Sequence, residues 1–393
     1  MKRALVLVSS YFPNGVAISS RMMNFCRLLR DAGYLVHVIT CHTTDKDVVP
    51  GKIYSIEEIS YQVVSSTAGN SMESFFGNSK FIKECDNYLS ANKVDFVFMT
   101  ASSGMFIRLQ KILRVHKVRH YIEQCEWMDV STYKFRYADI RFLKAELLCR
   151  NGYFHPDGIV SISRLLNDHY NSLGVSSIRI PTILDVQNIH CSDFNKCDDR
   201  IHIVFAGSLG GTKELMRPIL DALASDNKYR NKITFDVYGP SKSQILTNIG
   251  GDTSLLDAVK ECVVIHDRIP QEQIPFVYAN CDYLIFVRPC RRSSDAGFPT
   301  KLAECMAVGT PVITNFTGDI SLYLQDMNNG ILLKSNTSQA VCEGFDRIIM
   351  MSDDEYKSLR IRARYTAEMF FDYRVYIQKL INFFNNNFEN TFE

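Results

Sequence analysis

Net charge is almost absent from this sequence: 44 Lys and Arg against 43 Asp and Glu leave +1 at pH 7. There is no general electrostatic reason to expect a nucleic acid partner, and any anion binding must be local. Long hydrophobic runs are missing too. No stretch approaches the roughly 18 apolar residues of a membrane helix, so no helical span is expected. The 12 cysteines include no Cys-x-x-Cys pair and no accompanying His spacing, which leaves reduced core thiols as the reading. The opening MKRALVLVSSYFP has only a short apolar run that ends in a turn, so it reads as a first strand and not a signal peptide. A cytoplasmic protein is expected. What remains is a globular composition, 46% hydrophobic and 22% charged over 393 residues, which is more than one core usually holds.

The chain alternates apolar strand patterns with helical ones. RALVLVSS is followed by a break at Pro13, Asn14 and Gly15, then by RMMNFCRLLRDAG at helical spacing and by YLVHVIT. VDFVFMT, a helix over 104–115, RHYIEQ, a helical region near 134–151, GIVSIS, a helix to Gly174 and IRIPTI continue the first half. Residues 185–200 lose periodicity and become polar. A second alternation runs through IHIVFAGSL, a helix near 213–224, ITFDVYGP, VVIHDRI, a helix near 271–280, CDYLIFV, GTPVITN and NGILL, with a helical end from 353. Such alternation predicts parallel sheets covered by helices, hence two doubly wound, Rossmann-like α/β domains. The expected division is 1–185, a linker at 186–200 that acts as hinge, 201–368, and a final segment 369–393 that packs back on the first domain.

In open α/β sheets ligands lie beyond the carboxyl ends of the strands. The second domain starts with VFAGSLGGTKEL, where Gly207, Gly210 and Gly211 follow a strand and Lys213 adds a charge. These glycines let backbone amides approach an anion, although neither the Walker nor the G-x-G-x-x-G spacing is matched. Further on, AGFPTKLAECMAVGTPVITN places Pro299 and Thr300 at a helix start and Gly309 with Pro311 at its stop. Leu302, Ala303, Met306 and Ala307 form the buried stripe. Lys301 and Glu304 share the other face. The plain interpretation is a surface ion pair. Lys301 nevertheless sits in the first turn, where the helix dipole already presents positive charge, and a bound diphosphate resolves that conflict. Glu304 suits the vicinal hydroxyls of a ribose, and Gly297 would let the backbone close on the bound group.

GFPTKLAECMAVGTPVI resembles the signature of the retaining glycosyltransferases of family 4, which have the GT-B fold. FPNGVAISSRMMNFCRLLRDAGYLVHVIT, PDGIVSISRLLNDHY with IRIPTILD, and IVFAGSLGGTKEL resemble further parts of that family, so the likeness spans most of the chain. It implies two Rossmann-like domains facing each other across a cleft. It implies that Lys213 and Lys301 hold the phosphates of a nucleoside diphosphate-sugar, that Glu304 binds its ribose, and that Gly15 faces the diphosphate and acceptor. Gly207, Ser208, Gly297, Phe298, Pro299 and Thr300 fall on the donor-binding motifs, and Arg288 after YLIFV is expected to point toward the same crevice. Where the family has an arginine this chain has Ser208, and its first paired glutamate is replaced by Ala296, with Asp295 beside it. Where many members carry a histidine, HYIEQCEWMD offers Glu123 or Glu126, and Glu126 next to Trp127 is the preferred group for acceptor or sugar.

The expected activity is transfer of a sugar to a glycan or lipid-linked hydroxyl, with no metal or other cofactor. A catalytically silent sugar-nucleotide-binding partner, or a nucleotide-sugar hydrolase or epimerase on the same fold, stay as alternatives. The acid-free stretch 105–122, with Arg108, Lys111 and Arg114 on one helix face, is a candidate contact with an anionic membrane. Residues 60–80 are a candidate acceptor loop.

Overall fold

The computed structural model describes residues 2–65, 78–100, 103–133, 135–191, 198–210 and 213–389. The chain divides into two compact units, Met1–Leu184 with Tyr373–Glu393, and Asp185–Asp372.

The first unit is built on an eight-stranded sheet in the order β3-β4-β2-β1-β5-β6-β7-β8. Strand β1 (Arg3–Tyr11) is fully enclosed over Ala4–Val8, which explains its unbroken apolar run: helices cover both faces of a parallel sheet. Helix α1 (Ala17–Asp31) leads to β2 (Leu35–His42), which pairs parallel with β1. A hairpin of β3 (Ile53–Ile56) and β4 (Ile59–Val63) follows and is antiparallel within itself, an addition to the expected parallel pattern. Its turn is Glu57-Glu58, both at positive φ (49° and 63°), without the Asn or Gly that normally marks such a turn. Helix α2 (Ser79–Ala91), capped by the Asn78 side chain, is a further addition to the expected succession. Strand β5 (Phe96–Thr100), α3 (Ser103–Val115), β6 (Arg119–Gln124), α4 (Ile140–Arg150), β7 (Gly158–Ser161), α5 (Arg164–Ser172) and β8 (Ser177–Arg179) complete the succession. The expected helix over 134–151 begins only at Ile140, where the Asp139 carboxylate accepts the Arg141 amide. Two 3-10 turns precede it.

The second unit carries a six-stranded sheet in the order β11-β10-β9-β12-β13-β14, with every pairing parallel. In chain order it comprises β9 (Ile201–Ala206), α6 (Arg217–Ser225), α7 (Asn227–Lys232), β10 (Ile233–Tyr238), α8 (Lys242–Asn248), α9 (Thr253–Val259), β11 (Val263–His266) and α10 (Ile274–Ala279). Then come β12 (Tyr283–Phe286), α11 (Arg292–Ala296), α12 (Thr300–Ala307), β13 (Val312–Asn315), β14 (Gly330–Leu333), α13 (Ser338–Ile349) and α14 (Asp353–Phe370). The order reverses direction between β9 and β12, so the loops after these two strands flank the switch point where α/β sheets bind ligands.

Helix α15 (Ile377–Glu389) belongs to the first unit. Leu380, Phe383 and Phe384 are buried in its core, and the Phe384 ring lies 4.4 Å from that of Tyr121. Phe383 occupies the space above Gly158, where an added Cβ would come within 2.5 Å of the ring. The residues expected to form a free linker are fastened to the second unit at their start. Arg364 donates to the carbonyls of Val186 and Ile189, and the Gln187 amide bonds to Asp372. Residues 192–197 of that linker lie outside the described residues.

Candidate functional site

Strand β9 is followed by Gly207, whose φ of +127° only glycine adopts at ease. The adjacent strand β10 is followed by Gly239 (φ +105°), where a Cβ would come 2.7 Å from the Gly207 carbonyl. The two loops pass too close for side chains there. Ser208 is exposed, and its hydroxyl accepts the Gly210 amide at 3.1 Å. Gly211 lies outside the described residues. Lys213 is partly buried and lays its methylenes against Gly210. The helix expected from 213 starts only at Arg217, because 213–216 are held as a turn: the Glu214 amide donates to Leu209 and the Leu215 amide to Val287. Pro218 then suits the first turn of α6.

Helix α12 carries the other half of the site. Its entry, Gly297, Phe298 and Pro299, is buried. Gly297 has an ordinary extended φ of −91° and its amide donates to the Ser293 carbonyl, so no conformational demand for glycine exists at this position. Phe298 packs edge-on to Tyr323 at 5.3 Å, so its side chain serves the core. Pro299 provides no side-chain cap for the Thr300 turn. Leu302, Ala303, Met306 and Ala307 are buried as the spacing requires.

Lys301 does not form the surface pair with Glu304 that the plain interpretation called for. Its ammonium turns inward, 3.2 Å from Glu214 Oε1 and 4.2 Å from the centre of the Phe205 ring, and a Cβ on Gly207 would sit 3.8 Å from it. Burial lowers the Lys301 pKa, and the Glu214 charge opposes that shift. Arg288, just past β12, is 5% exposed. Its Nε stands 3.9 Å from the same Glu214 oxygen, while its backbone is clasped by both ends of the Asn315 amide. Lys301, Arg288, Gly207 and Glu214 are thus brought together at the switch point. Glu304, one turn into α12, is enclosed enough that desolvation pushes its pKa up to about 7.

Sequence reasoning passed over Glu214. The signal available was a carboxylate next to Lys213 in a Gly-rich turn, which reads as an ordinary solvated neighbour. Asp295, the carboxylate nearest the missing first glutamate, accepts the Gly318 amide at 2.8 Å and so braces the loop after β13.

Gly15 and Glu126 belong to the first unit. Gly15 (φ +128°) lies against Thr44, whose methyl a Cβ would meet at 2.8 Å. Glu126 is exposed on the loop after β6, and neighbouring Trp127 donates to Glu146 at 2.9 Å and packs on His169. Glu123 is buried and bonded to Arg21. An Asp-x-Asp string that the expectation of metal independence overlooked, Asp45-Lys46-Asp47, lies after β2, where Asp45 accepts the Asp47 amide. Among the described residues no group of three His, Cys, Asp or Glu is placed to hold a metal, and no helix is long and apolar enough to cross a membrane.

Residues 200–350, which contain the Lys301 site, match the protein-family model described as "Glycosyl transferases group 1". No curated protein sequence matches the chain. Solved structures resemble it over nearly its full length at low identity. Sucrose-phosphate synthase from Thermosynechococcus elongatus aligns at 13% identity and TM-score 0.74, covering 99% of this chain and 100% of that one. The catalytic domain of starch synthase IV from Arabidopsis thaliana, bound to ADP and acarbose, aligns at 11% identity and TM-score 0.71, covering 98% and 99%. Anabaena HepE in complex with UDP and glucose aligns at 13% and 0.69, covering 98% and 100%. The fold is that of the GT-B glycosyltransferases, with two parallel-sheet Rossmann-like domains, and the family-model match supports sugar transfer.

Proposed function

We propose that the chain is a retaining glycosyltransferase of the family 4 type, which moves a sugar from a nucleoside diphosphate donor to a hydroxyl of a glycan or lipid-linked acceptor. The observation that carries this reading is the convergence of Lys301 and Arg288 on one point at the switch between β9 and β12, beside the start of α12. Two cations and a helix N-terminus suit a diphosphate. In the reaction the bond from the anomeric carbon to the β-phosphate oxygen breaks, and the acceptor oxygen bonds to that carbon on the same face. The acceptor proton leaves with the departing phosphate. Charge grows on the diphosphate as the bond breaks, and Lys213, Lys301 and the first-turn amides of α12 are the groups that would stabilise it; such preorganised groups lower a barrier by roughly 3 to 4 kcal/mol each. Gly207, Ser208 and the turn Gly297–Thr300 would border the donor, Glu304 would accept from the ribose hydroxyls, Gly15 would face the diphosphate and acceptor, and Glu126 would face acceptor or sugar. Turnover is expected to survive chelator, since these charges need no metal.

The test is a panel of UDP, GDP, ADP and their sugar conjugates, read by thermal shift and nucleotide release with wild type and Lys301→Ala. Stabilisation by one nucleotide family that the variant loses supports the reading. No stabilisation of wild type by any of them sinks it. The use of Asp295 as a brace for Gly318 favours one second reading, a silent sugar-nucleotide-binding partner, because it leaves Ala296 without a neighbouring acid to serve the donor sugar. Glycosylated product would rule that out.

A contact with anionic membrane is part of the same proposal, now with an apolar component. Helix α4 exposes Ile140, Leu143 and Leu147 along one stripe, flanked by Arg150, which is paired with Glu146, on one side and by Lys144 and Arg141, the latter paired with Asp139, on the other. It packs beside basic α3, whose Arg114 reaches the Phe154 carbonyl. Apolar residues bordered by cations fit a negatively charged bilayer surface. Co-sedimentation with anionic but not neutral vesicles, lost in Leu143→Glu/Leu147→Glu, is the expected result; equal sedimentation with both overturns it.

A further inference from the structure

The proposed reaction gives no part to Glu214, although its carboxylate lies against both cations of the site. Its backbone is fixed from three sides: its amide donates to Leu209, its carbonyl accepts Asn248 Nδ2 at 2.9 Å, and the next amide donates to Val287 at 2.7 Å. Its carboxylate is buried. One oxygen is shared by Lys301 at 3.2 Å and Arg288 at 3.9 Å, while the other, Oε2, is buried without a hydrogen-bond partner.

A buried carboxylate with one oxygen unbonded is a poor device for stability alone. Its electrostatic consequence is direct. It is a negative charge held against the two cations that a bound diphosphate would engage, so carboxylate and phosphate compete for the same partners. Without Glu214, Lys301 would be a buried cation with only the Glu304 carboxyl, one turn along the helix, to oppose it until an anion arrives, and the arriving anion would be held more tightly.

We propose that Glu214 is a built-in counter-charge that limits the affinity of this site for nucleoside diphosphate. It holds Lys301 and Arg288 in place while the site is empty, and it weakens their grip on the diphosphate left after transfer, which favours release. Glu214 is a positioning residue and takes no part in bond making. The inference rests on the diphosphate reading of the site and goes beyond it in naming what sets the affinity.

The experiment is calorimetric titration of UDP, GDP and ADP into wild type, Glu214→Gln and Glu214→Asp. The Gln variant is expected to bind the responding nucleotide about tenfold more tightly than wild type, with a steeper salt dependence. The Asp variant, which keeps the charge, is expected to stay within about threefold of wild type. If the Gln variant does not fold, Glu214→Met provides a neutral side chain of similar length without polar hydrogens. Binding by wild type with equal or weaker binding by the neutral variant overturns the inference, as does equal tightening by Gln and Asp. Binding of no nucleotide by any of the three proteins overturns the diphosphate reading itself, and with it this inference.

Discussion

Arg21 Nε lies 2.6 Å from Glu123 Oε1, with both side chains almost wholly enclosed. Arg21 also donates to the carbonyls of Ile180 and Pro181, so one side chain on α1 ties together the end of β6 and the segment after β8. Removing one member strands the other as a buried charge, whereas replacing both with apolar groups does not. Arg21→Ala and Glu123→Ala are each expected to cost roughly 3 to 5 kcal/mol in urea unfolding, and Arg21→Met/Glu123→Leu clearly less.

Glu304 gives the unliganded protein a stability that declines with rising pH. Its folded pKa of about 7 stands above the ordinary 4.5, so the folded state holds the proton more tightly, and the contribution is complete below pH 4.5 and lost as pH passes 7. Between pH 5 and 8, Glu304→Gln is expected to flatten the stability profile by up to about 3 kcal/mol relative to wild type. The same variant is expected to weaken nucleotide binding at pH 8, where the charged carboxylate would accept from a ribose. A parallel profile in wild type and variant would remove this role.

His37 acts in the opposite direction. The Ser60 hydroxyl donates to the Val36 carbonyl and so accepts from His37 Nδ1 at 2.9 Å, which leaves Nε2 buried with no partner while the ring stacks on Tyr88 at 4.5 Å. Burial depresses its pKa from 6.5 to about 4. The neutral ring's contribution is present above pH 6.5 and is lost as pH falls toward 4. His37→Phe, which retains a ring for the stack, is expected to lose up to about 3 kcal/mol less than wild type across that interval, measured by denaturant midpoints.

Gly239→Ala is expected to destabilise the second unit by roughly 1 to 3 kcal/mol and to shift the Gly207 loop, since the new methyl meets the Gly207 carbonyl at 2.7 Å in a backbone conformation alanine resists. A nucleotide-dependent thermal shift that falls with the melting temperature checks both effects together. An unchanged melting temperature would contradict the close approach.

The fold was legible where burial on two faces leaves a continuous apolar word, as in β1, β9 and β12. It was illegible where local chemistry broke its own conventions. The β3–β4 hairpin turns on two glutamates at positive φ, a sequence that announces no turn. At the site, the lysine in the first turn of α12 could be singled out because the helix dipole makes it anomalous. Glu214 could not, because its meaning arises only when β9 and β12 become neighbours and Arg288 and Lys301 arrive from 74 and 87 residues away. The tie at the start of the expected linker was illegible for a similar reason, since nothing local connects Val186 and Ile189 with Arg364.

The crossover at Leu184 and Tyr373 separates the first unit from its last helix in the order of synthesis. The Tyr373 amide bonds to the Leu184 carbonyl, and the aromatic residues beyond it fill the core of the first unit against Phe96, Tyr121 and Gly158. During synthesis the whole of Asp185–Asp372 is made before those residues appear. The second unit can close on its own sheet while the first, begun earlier, waits with an open apolar face for its last helix. The part of the protein that is started first is the part finished last, and a nascent chain stalled between the two depends on that face staying covered until Phe383 and Phe384 emerge.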